Sequence, residues 1–382
     1  RQIVRFPTCH GPCKYRSIQK VFMSPSNSCI IAIFLALLMT GPTQSAQAEV
    51  VSRAAGYTSV TCIGGSDTVV SIPFHRPVRF SSALSGNPVV SATTASLGFQ
   101  ADRELLTSEL TDEPHYLQFT GGSRNGWVYP VTSHDADSIT IDLEYDNLAG
   151  VGDGDIFEVI PYWTLATLFP SAEQTTIHPS TGKLAPQRES RVLFFDEIGD
   201  GTNLAPDRIY FLTSEGWFRS DRGFPAADDA VIPPGKALVI RHPDNAANTE
   251  FAARWHVHAK GHSSALRTRS GEGKSQDTTV ALLRPVDVKL SDLDLGVSFT
   301  DSSSNSSGDR RDELVLYDNL TAAFNKDPSV IYFRVSGEWR RDDGNSYPAS
   351  DGEEIPSTTG LLIRKSSTAA GASVRWLNLP RY

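Results

Sequence analysis

The sequence has few cysteines, no excess of basic residues and no apolar run long enough to span a bilayer. Four cysteines occur among 382 residues, and 35 Lys and Arg stand against 44 Asp and Glu, a net charge of −9. Because nucleic-acid binding needs a basic surface, this charge argues against a nucleic-acid partner. Apolar residues make up 39% of the chain and glycine adds 29 residues, which excludes wholesale disorder.

Familiar catalytic and nucleotide-binding motifs are also missing. The chain contains neither the G-x-S-x-G elbow of hydrolases nor the H-E-x-x-H motif of zinc proteases. It also lacks a P-loop and a G-x-G-x-x-G dinucleotide motif. These absences favour a protein without catalytic activity.

The first 48 residues have the composition of an export leader. Residues Cys29–Met39 form an apolar run, shorter than the roughly 20 residues that span a bilayer and typical of the centre of a signal peptide. The small residues Ala46 and Ala48 predict cleavage after Ala48, and Met23 is a candidate start. The alternatives for the apolar run are a buried core helix and an N-terminal membrane anchor.

Removal of this leader changes both counts. The leader holds five basic and no acidic residues, so 30 basic and 44 acidic residues remain, a net charge of −14. Cys9, Cys13 and Cys29 leave with it and Cys62 remains alone, which excludes an intramolecular disulfide. We therefore expect a secreted or cell-envelope protein, periplasmic or on the outer surface, that is stabilised by its core alone.

After the leader, the sequence is typical of a mostly β protein. Runs rich in Val, Ile, Phe, Tyr and Thr alternate with Gly, Asn, Asp and Pro. We predict an N-terminal β domain over 49–161, then a β unit over 162–262, a linker over 263–281 and a second β unit over 282–382. Each β unit is expected to resemble a small sandwich or barrel.

An internal repeat is the reason for expecting two homologous units. Residues 192–221 align without a gap on 314–343 at an offset of 122, and 224–241 continue onto 347–364 after one inserted residue. Chance similarity does not hold one register over that length, so we interpret it as a duplication. The apolar runs Ala237–Ile240 and Leu361–Ile363 predict strands that are covered on both faces.

Two tryptophans provide a candidate ligand site. Trp217 and Trp339 occupy equivalent repeat positions, and Arg219 and Arg341 follow two residues later. An exposed Trp beside an Arg can stack on a sugar ring, so these four residues indicate a carbohydrate-binding protein. The alternative is that each Trp fills the core of its unit.

Three histidines provide a candidate metal site. His256 and His258 share one face of a strand, and His262 returns after a turn. Three imidazoles can hold Zn²⁺ with a position open for water, which would indicate a metal-dependent hydrolase. The second unit has no matching histidines, and the alternative is a set of exposed histidines beside the linker.

Asp-rich turns such as Gly152–Asp155 suggest structural Ca²⁺. Carboxylate oxygens are the ligands that Ca²⁺ prefers. None of these turns has the spacing of an EF-hand loop, and Asp-Gly is also ordinary turn chemistry.

Three stretches carry a family resemblance: GGSDTVVSIPFHRPVRFSSALSGNPV, GVGDGDIFEVIPYWTLATLFP, and the Gly-x-Trp, Ile-Pro, Leu-x-Ile-Arg ending. They resemble a family of uncharacterised exported proteins from Verrucomicrobia, over nearly the whole chain after the leader. The resemblance implies a bacterial envelope or secreted protein and carries no mechanism.

Together these features lead us to expect an exported structural or adhesive protein without catalytic activity. Carbohydrate binding through the tryptophans is the alternative, and the histidine-centred hydrolase is a weaker one. The expected partners are polysaccharide or other envelope proteins, and strand edges make self-association an option. No transmembrane span is expected after leader cleavage.

Overall fold

The computed structural model describes residues 53–100, 110, 113–144, 146–195 and 199–381, so the expected leader lies outside the described residues. The described chain is mostly β, as the sequence predicted. A single turn of α-helix, α1 (Leu165–Leu168), begins after Thr164, whose side chain accepts a hydrogen bond from the backbone N–H of Thr167. Within the described ranges, no helix has both the length and the apolar character needed to cross a membrane.

In chain order the strands are β1 (Ala55–Cys62), β2 (Ser66–Val70), β3 (Phe74–His75), β4 (Phe80–Leu84), β5 (Val89–Val90), β6 (Thr94–Gln100), β7 (His115–Phe119), β8 (Val128–His134), β9 (Ser138–Asp142), β10 (Ile156–Pro161), β11 (Trp163–Thr164), β12 (Arg191–Phe195), β13 (Pro206–Thr213), β14 (Gly216–Arg219), β15 (Val231–Ile232), β16 (Leu238–His242), β17 (Thr249–Val257), β18 (His262–Leu266), β19 (Ser275–Ala281), β20 (Val288–Lys289), β21 (Glu313–Leu316), β22 (Val330–Val335), β23 (Glu338–Arg341), β24 (Glu354–Ile355), β25 (Gly360–Ser366) and β26 (Val374–Asn378).

Six of these strands close into a barrel. They pair in the order β4, β10, β7, β8, β9 and β6, and β6 pairs back with β4. Closure leaves no free edge around the ring. Alternate residues point inward, so Leu97, Phe119, Ile139 and Phe157 are all fully buried in one core.

Apart from β5, which pairs with β6, the other strands form two five-stranded antiparallel sheets, one three-stranded sheet (β1-β17-β3) and three two-stranded sheets (β11-β15, β18-β26 and β20-β24). Of the five-stranded sheets, the first sheet has the order β14-β13-β12-β16-β2, and the second sheet has the order β23-β22-β21-β25-β19. The strands that the repeat aligns take the same places in both: β12 and β21, β13 and β22, β14 and β23, β16 and β25. The edge strands β2 and β19 also correspond in place, although both lie outside the aligned repeat.

The domain boundaries differ from the sequence expectation. Residues 55–70 fall in the expected N-terminal domain, yet β1 pairs with β17 and β2 pairs with β16. In the sequence, the barrel strands therefore lie between β2 and β16, which pair with each other in the first sheet. The expected linker over 263–281 contains most of β18 and all of β19, which pair with β26 and β25. The polar composition of β19 reflects Asp277 and Thr279, which face the first sheet.

Each five-stranded sheet buries one face in its own core. Val70, Leu238 and Ile240 pack in the first core with Trp217, and strands of the second sheet pack likewise around Trp339. The opposite faces are covered too, since Val239 on the first sheet and Leu362 on the second are buried. The apolar runs at Ala237–Ile240 and Leu361–Ile363 are thus covered on both faces, as their composition predicted.

Candidate functional site

The two repeat tryptophans lie in the cores. Trp217 is 0% exposed, its indole N–H donates to the carbonyl of Phe169 at 3.2 Å, and Trp339 is 4% exposed. A ring that stacks on a sugar must present a face to solvent. Carbohydrate binding through these two rings is therefore not retained, and the core-filling alternative describes them.

The arginines that follow the tryptophans form local surface ion pairs. Arg219 pairs with Asp221, and Arg341 lies 3.2 Å from Glu353. Both arginine side chains are about two-fifths exposed, at 41% and 42%. Ion pairs at this exposure contribute little to stability and assemble no shared site.

Asp-rich turns of the repeat hold the tryptophan strands. Asp228 accepts a hydrogen bond from the Trp217 backbone N–H at 3.2 Å, and Asp351 accepts one from the Trp339 backbone N–H at 3.4 Å. In the barrel, Asp155 likewise accepts from the Gly152 N–H at 3.0 Å. These carboxylates act as ordinary turn acceptors in the structure.

The three histidines lie in a row with a fourth, His75, and all but His256 are buried. The ring centroids of His75 and His256 are 5.8 Å apart, those of His75 and His258 are 5.0 Å apart, and those of His258 and His262 are 6.5 Å apart. His75 comes from β3, far away along the chain, and no sequence pattern pointed to it. Within the part of the chain that the structure describes, no group of three or more His, Cys, Asp or Glu could hold a metal ion.

Burial determines the protonation of the buried histidines of this row. It lowers the pKa of His258 well below its usual value and lowers that of His262 to about 3, with Arg375 and Lys236 adding repulsion at His262. The His262 ring packs against Gly235, where an added Cβ would lie 2.1 Å from Nε2. Burial lowers the pKa of His75 as well, so the imidazoles of His75, His258 and His262 are neutral at neutral pH.

A feature without a sequence motif joins the two sheets: each sends a loop across the edge of the other. The second loop (319–327) follows β21 and lies along β2, where the Asp67 N–H donates to the Ala323 carbonyl at 2.9 Å. The first loop (199–205) follows β12 and lies along β19, where the Asp277 N–H donates to the Gly201 carbonyl at 2.9 Å. Each loop thereby forms hydrogen bonds with backbone groups of an edge strand that would otherwise be unpaired.

An Asp–Arg–Asn cluster lies at each crossing. Arg241 donates to both oxygens of Asp67 at 2.6 and 2.7 Å, and the Asn325 N–H donates to the same carboxylate at 2.8 Å. The matching cluster has Arg364 on Asp277 at 2.8 and 3.1 Å, with the Asn203 N–H at 2.7 Å.

Both asparagines adopt the left-handed conformation, with φ of 53° at Asn203 and 48° at Asn325. Asn tolerates this conformation better than most residues, which suits the tight turn of each loop. Hydrogen bonding to Asp277 raises the pKa of Arg364, so the guanidinium stays charged. In each cluster, an Arg–Asp ion pair holds the opposite loop through the backbone N–H of its asparagine.

A cavity of about 570 Å³ lies between the facing sides of the two sheets. Both clusters line it, together with Thr279 of β19 and apolar residues of β2, β12, β16 and β25. Phe195 and Tyr317, which the repeat offset relates, also line it. The sequence signal for this region was the 122-residue offset, which also relates Asn203 to Asn325 but says nothing of their partners.

The chain matches no protein-family model, no curated protein and no solved structure.

Proposed function

We propose that the protein is an exported structural or adhesive protein of the cell envelope or exterior, without catalytic activity. The supporting observation is that polar residues that recur in both sheets form structural ion pairs. Asp67 with Arg241, and Asp277 with Arg364, hold one sheet against the loop of the other. Recurring residues thus contribute to rigidity rather than to a reactive centre.

Covered strand edges suit a protein that works outside the cytoplasm. With the leader removed, Cys62 would be the one cysteine left, so disulfides cannot stabilise the chain. Exposed edges invite pairing with other chains, and here the edges of β2 and β19 carry a loop each. Reciprocal loops and ion pairs would then supply the stability that secreted proteins often obtain from disulfides.

Export is tested by fusing residues 23–60 to alkaline phosphatase, which is active only outside the bacterial cytoplasm. We expect phosphatase activity from this fusion, and its loss when Leu35→Arg places a charge in the apolar run. A matched control, Gln47→Arg, leaves that run intact. An inactive fusion would contradict export.

The absence of catalysis is tested on the purified protein with chromogenic esters, glycosides and phosphate esters. We expect hydrolysis at the buffer rate. Turnover above that rate that is lost when the protein is heat-denatured would refute the structural proposal, whatever the result of the export experiment.

A further inference from the structure

We propose that the cavity between the two sheets is a binding site for a small, uncharged, ring-containing apolar molecule. This inference goes beyond a structural role and does not depend on export. It is based on the size of the cavity, the chemistry of its walls and the state of its charged groups.

The size alone separates this cavity from a packing defect. Its volume of about 570 Å³ lies within the roughly 300–1,000 Å³ of known ligand sites. A sealed apolar void of that volume would cost about 14 kcal/mol at roughly 24 cal/mol per Å³, as much as the whole stability of a typical domain. The cavity must therefore open to solvent, and the exposed rim residues Asn203, Ala205 and Asn325 mark the opening.

The charged groups that the strands contribute to the lining form two ion pairs, and Lys326 and Asp327 of the second loop also line the cavity. The Asp of each pair takes two hydrogen bonds from its Arg and one from a backbone N–H of the opposite loop. Lys326 donates to the Asp318 carbonyl at 2.6 Å. A charged ligand would have to disrupt these pairs, and separating a partly buried ion pair is costly. The lining thus favours an uncharged ligand.

The remaining lining favours a molecule with rings. Val69, Leu193, Val239 and Leu362 supply aliphatic surface from both sheets. Phe195 and Tyr317 supply aromatic surface, against which an aromatic ring packs in offset or edge-to-face geometry. Burial also raises the pKa of Tyr317, so its hydroxyl stays protonated at neutral pH.

The test titrates the purified protein with N-phenyl-1-naphthylamine, an uncharged two-ring probe that fluoresces in apolar surroundings. We expect saturable enhancement with one site per chain. Thr279→Trp, which fills the cavity from β19, should weaken binding at least tenfold. Thr132→Trp, the same change at an exposed barrel position, should leave the affinity unchanged.

Ala205→Trp at the exposed rim is a second cavity variant, and it decides the matter if Thr279→Trp does not fold. Circular dichroism establishes which variants are folded. The proposal is overturned if the wild-type protein shows no saturable site, or if the folded cavity variants bind the probe with wild-type affinity.

Discussion

Replacing Lys365 with methionine tests how much a buried charge pair contributes to the second sheet. Lys365 is 2% exposed and Asp312 is 0% exposed, and the ammonium contacts the Asp312 carboxylate and the Ser298 carbonyl. The substitution leaves the carboxylate buried with only neutral donors, among them the Thr300 N–H at 2.6 Å. Removing one partner of such a pair costs about 3–5 kcal/mol, so we expect that loss in the free energy of unfolding.

Urea unfolding followed by circular dichroism measures the loss, and two further variants make the result interpretable. Lys183→Met removes a partly exposed ammonium that lies 2.8 Å from Glu215, and should cost less than about 1 kcal/mol. Adding Asp312→Asn to Lys365→Met removes the unpaired charge and should recover about 2 kcal/mol. The reasoning is refuted if Lys365→Met costs no more than Lys183→Met, or if the double variant is less stable than Lys365→Met.

Three other predictions concern the core, the histidine row and the contact between the sheets. Trp217→Ala should lower the free energy of unfolding in urea by about 3–5 kcal/mol, because it leaves a cavity in the first core. Trp255→Ala, at a residue that is 44% exposed, should lower it far less. Equal losses would contradict the assignment of Trp217 to the core. The folded-state pKa of His262, about 3, lies below its unfolded value of roughly 6.5, so its contribution is present above pH 6.5 and is lost as pH falls toward 3. Between pH 6.5 and 5 the wild-type protein should therefore lose about 2 kcal/mol that a folded His262→Gln variant does not lose, and identical pH profiles in unfolding experiments would contradict this. Gly360→Val would place a Cβ 2.7 Å from Val69 and 2.8 Å from Ala237, and should lower the free energy of unfolding by about 1–3 kcal/mol in thermal or urea experiments. Gly352→Val introduces its side chain into open space and should be near neutral. The reverse order would contradict the close approach of the two sheets.

Local pattern predicted the fold class because apolar runs and turn residues are local signals. The run at Ala237–Ile240 predicts a strand that is covered on both faces, and its residues are buried on both faces of the first sheet. The partner of a strand is a different matter. Val69 pairs with Val239 although all the barrel strands lie between them in the sequence, and no local pattern encodes a pairing over that separation.

The region around the cavity was beyond sequence reasoning for a related reason. Asp67 and Arg241 are 174 residues apart, and neither belongs to a recognisable motif. Asp277 lies in a polar stretch whose composition is typical of a linker, because one face of β19 points toward the other sheet. The spacing of His256, His258 and His262 suits a metal site, but their rings lie in a row with His75, and no group of three or more ligands among the described residues could hold a metal ion.

Reciprocal covering of the sheet edges is the central claim, and amide hydrogen exchange at Val69 tests it most directly. The Val69 N–H donates to the Asn319 side-chain oxygen at 2.9 Å, so a loop of one sheet protects an amide of the other. Residue-resolved exchange should show this amide protected, and Asn319→Ala should speed its exchange about fivefold, the equivalent of roughly 1 kcal/mol. The barrel amide of Leu117 should not change. A Val69 amide that exchanges at the free-peptide rate in the wild-type protein, or that does not respond to Asn319→Ala, would contradict the account.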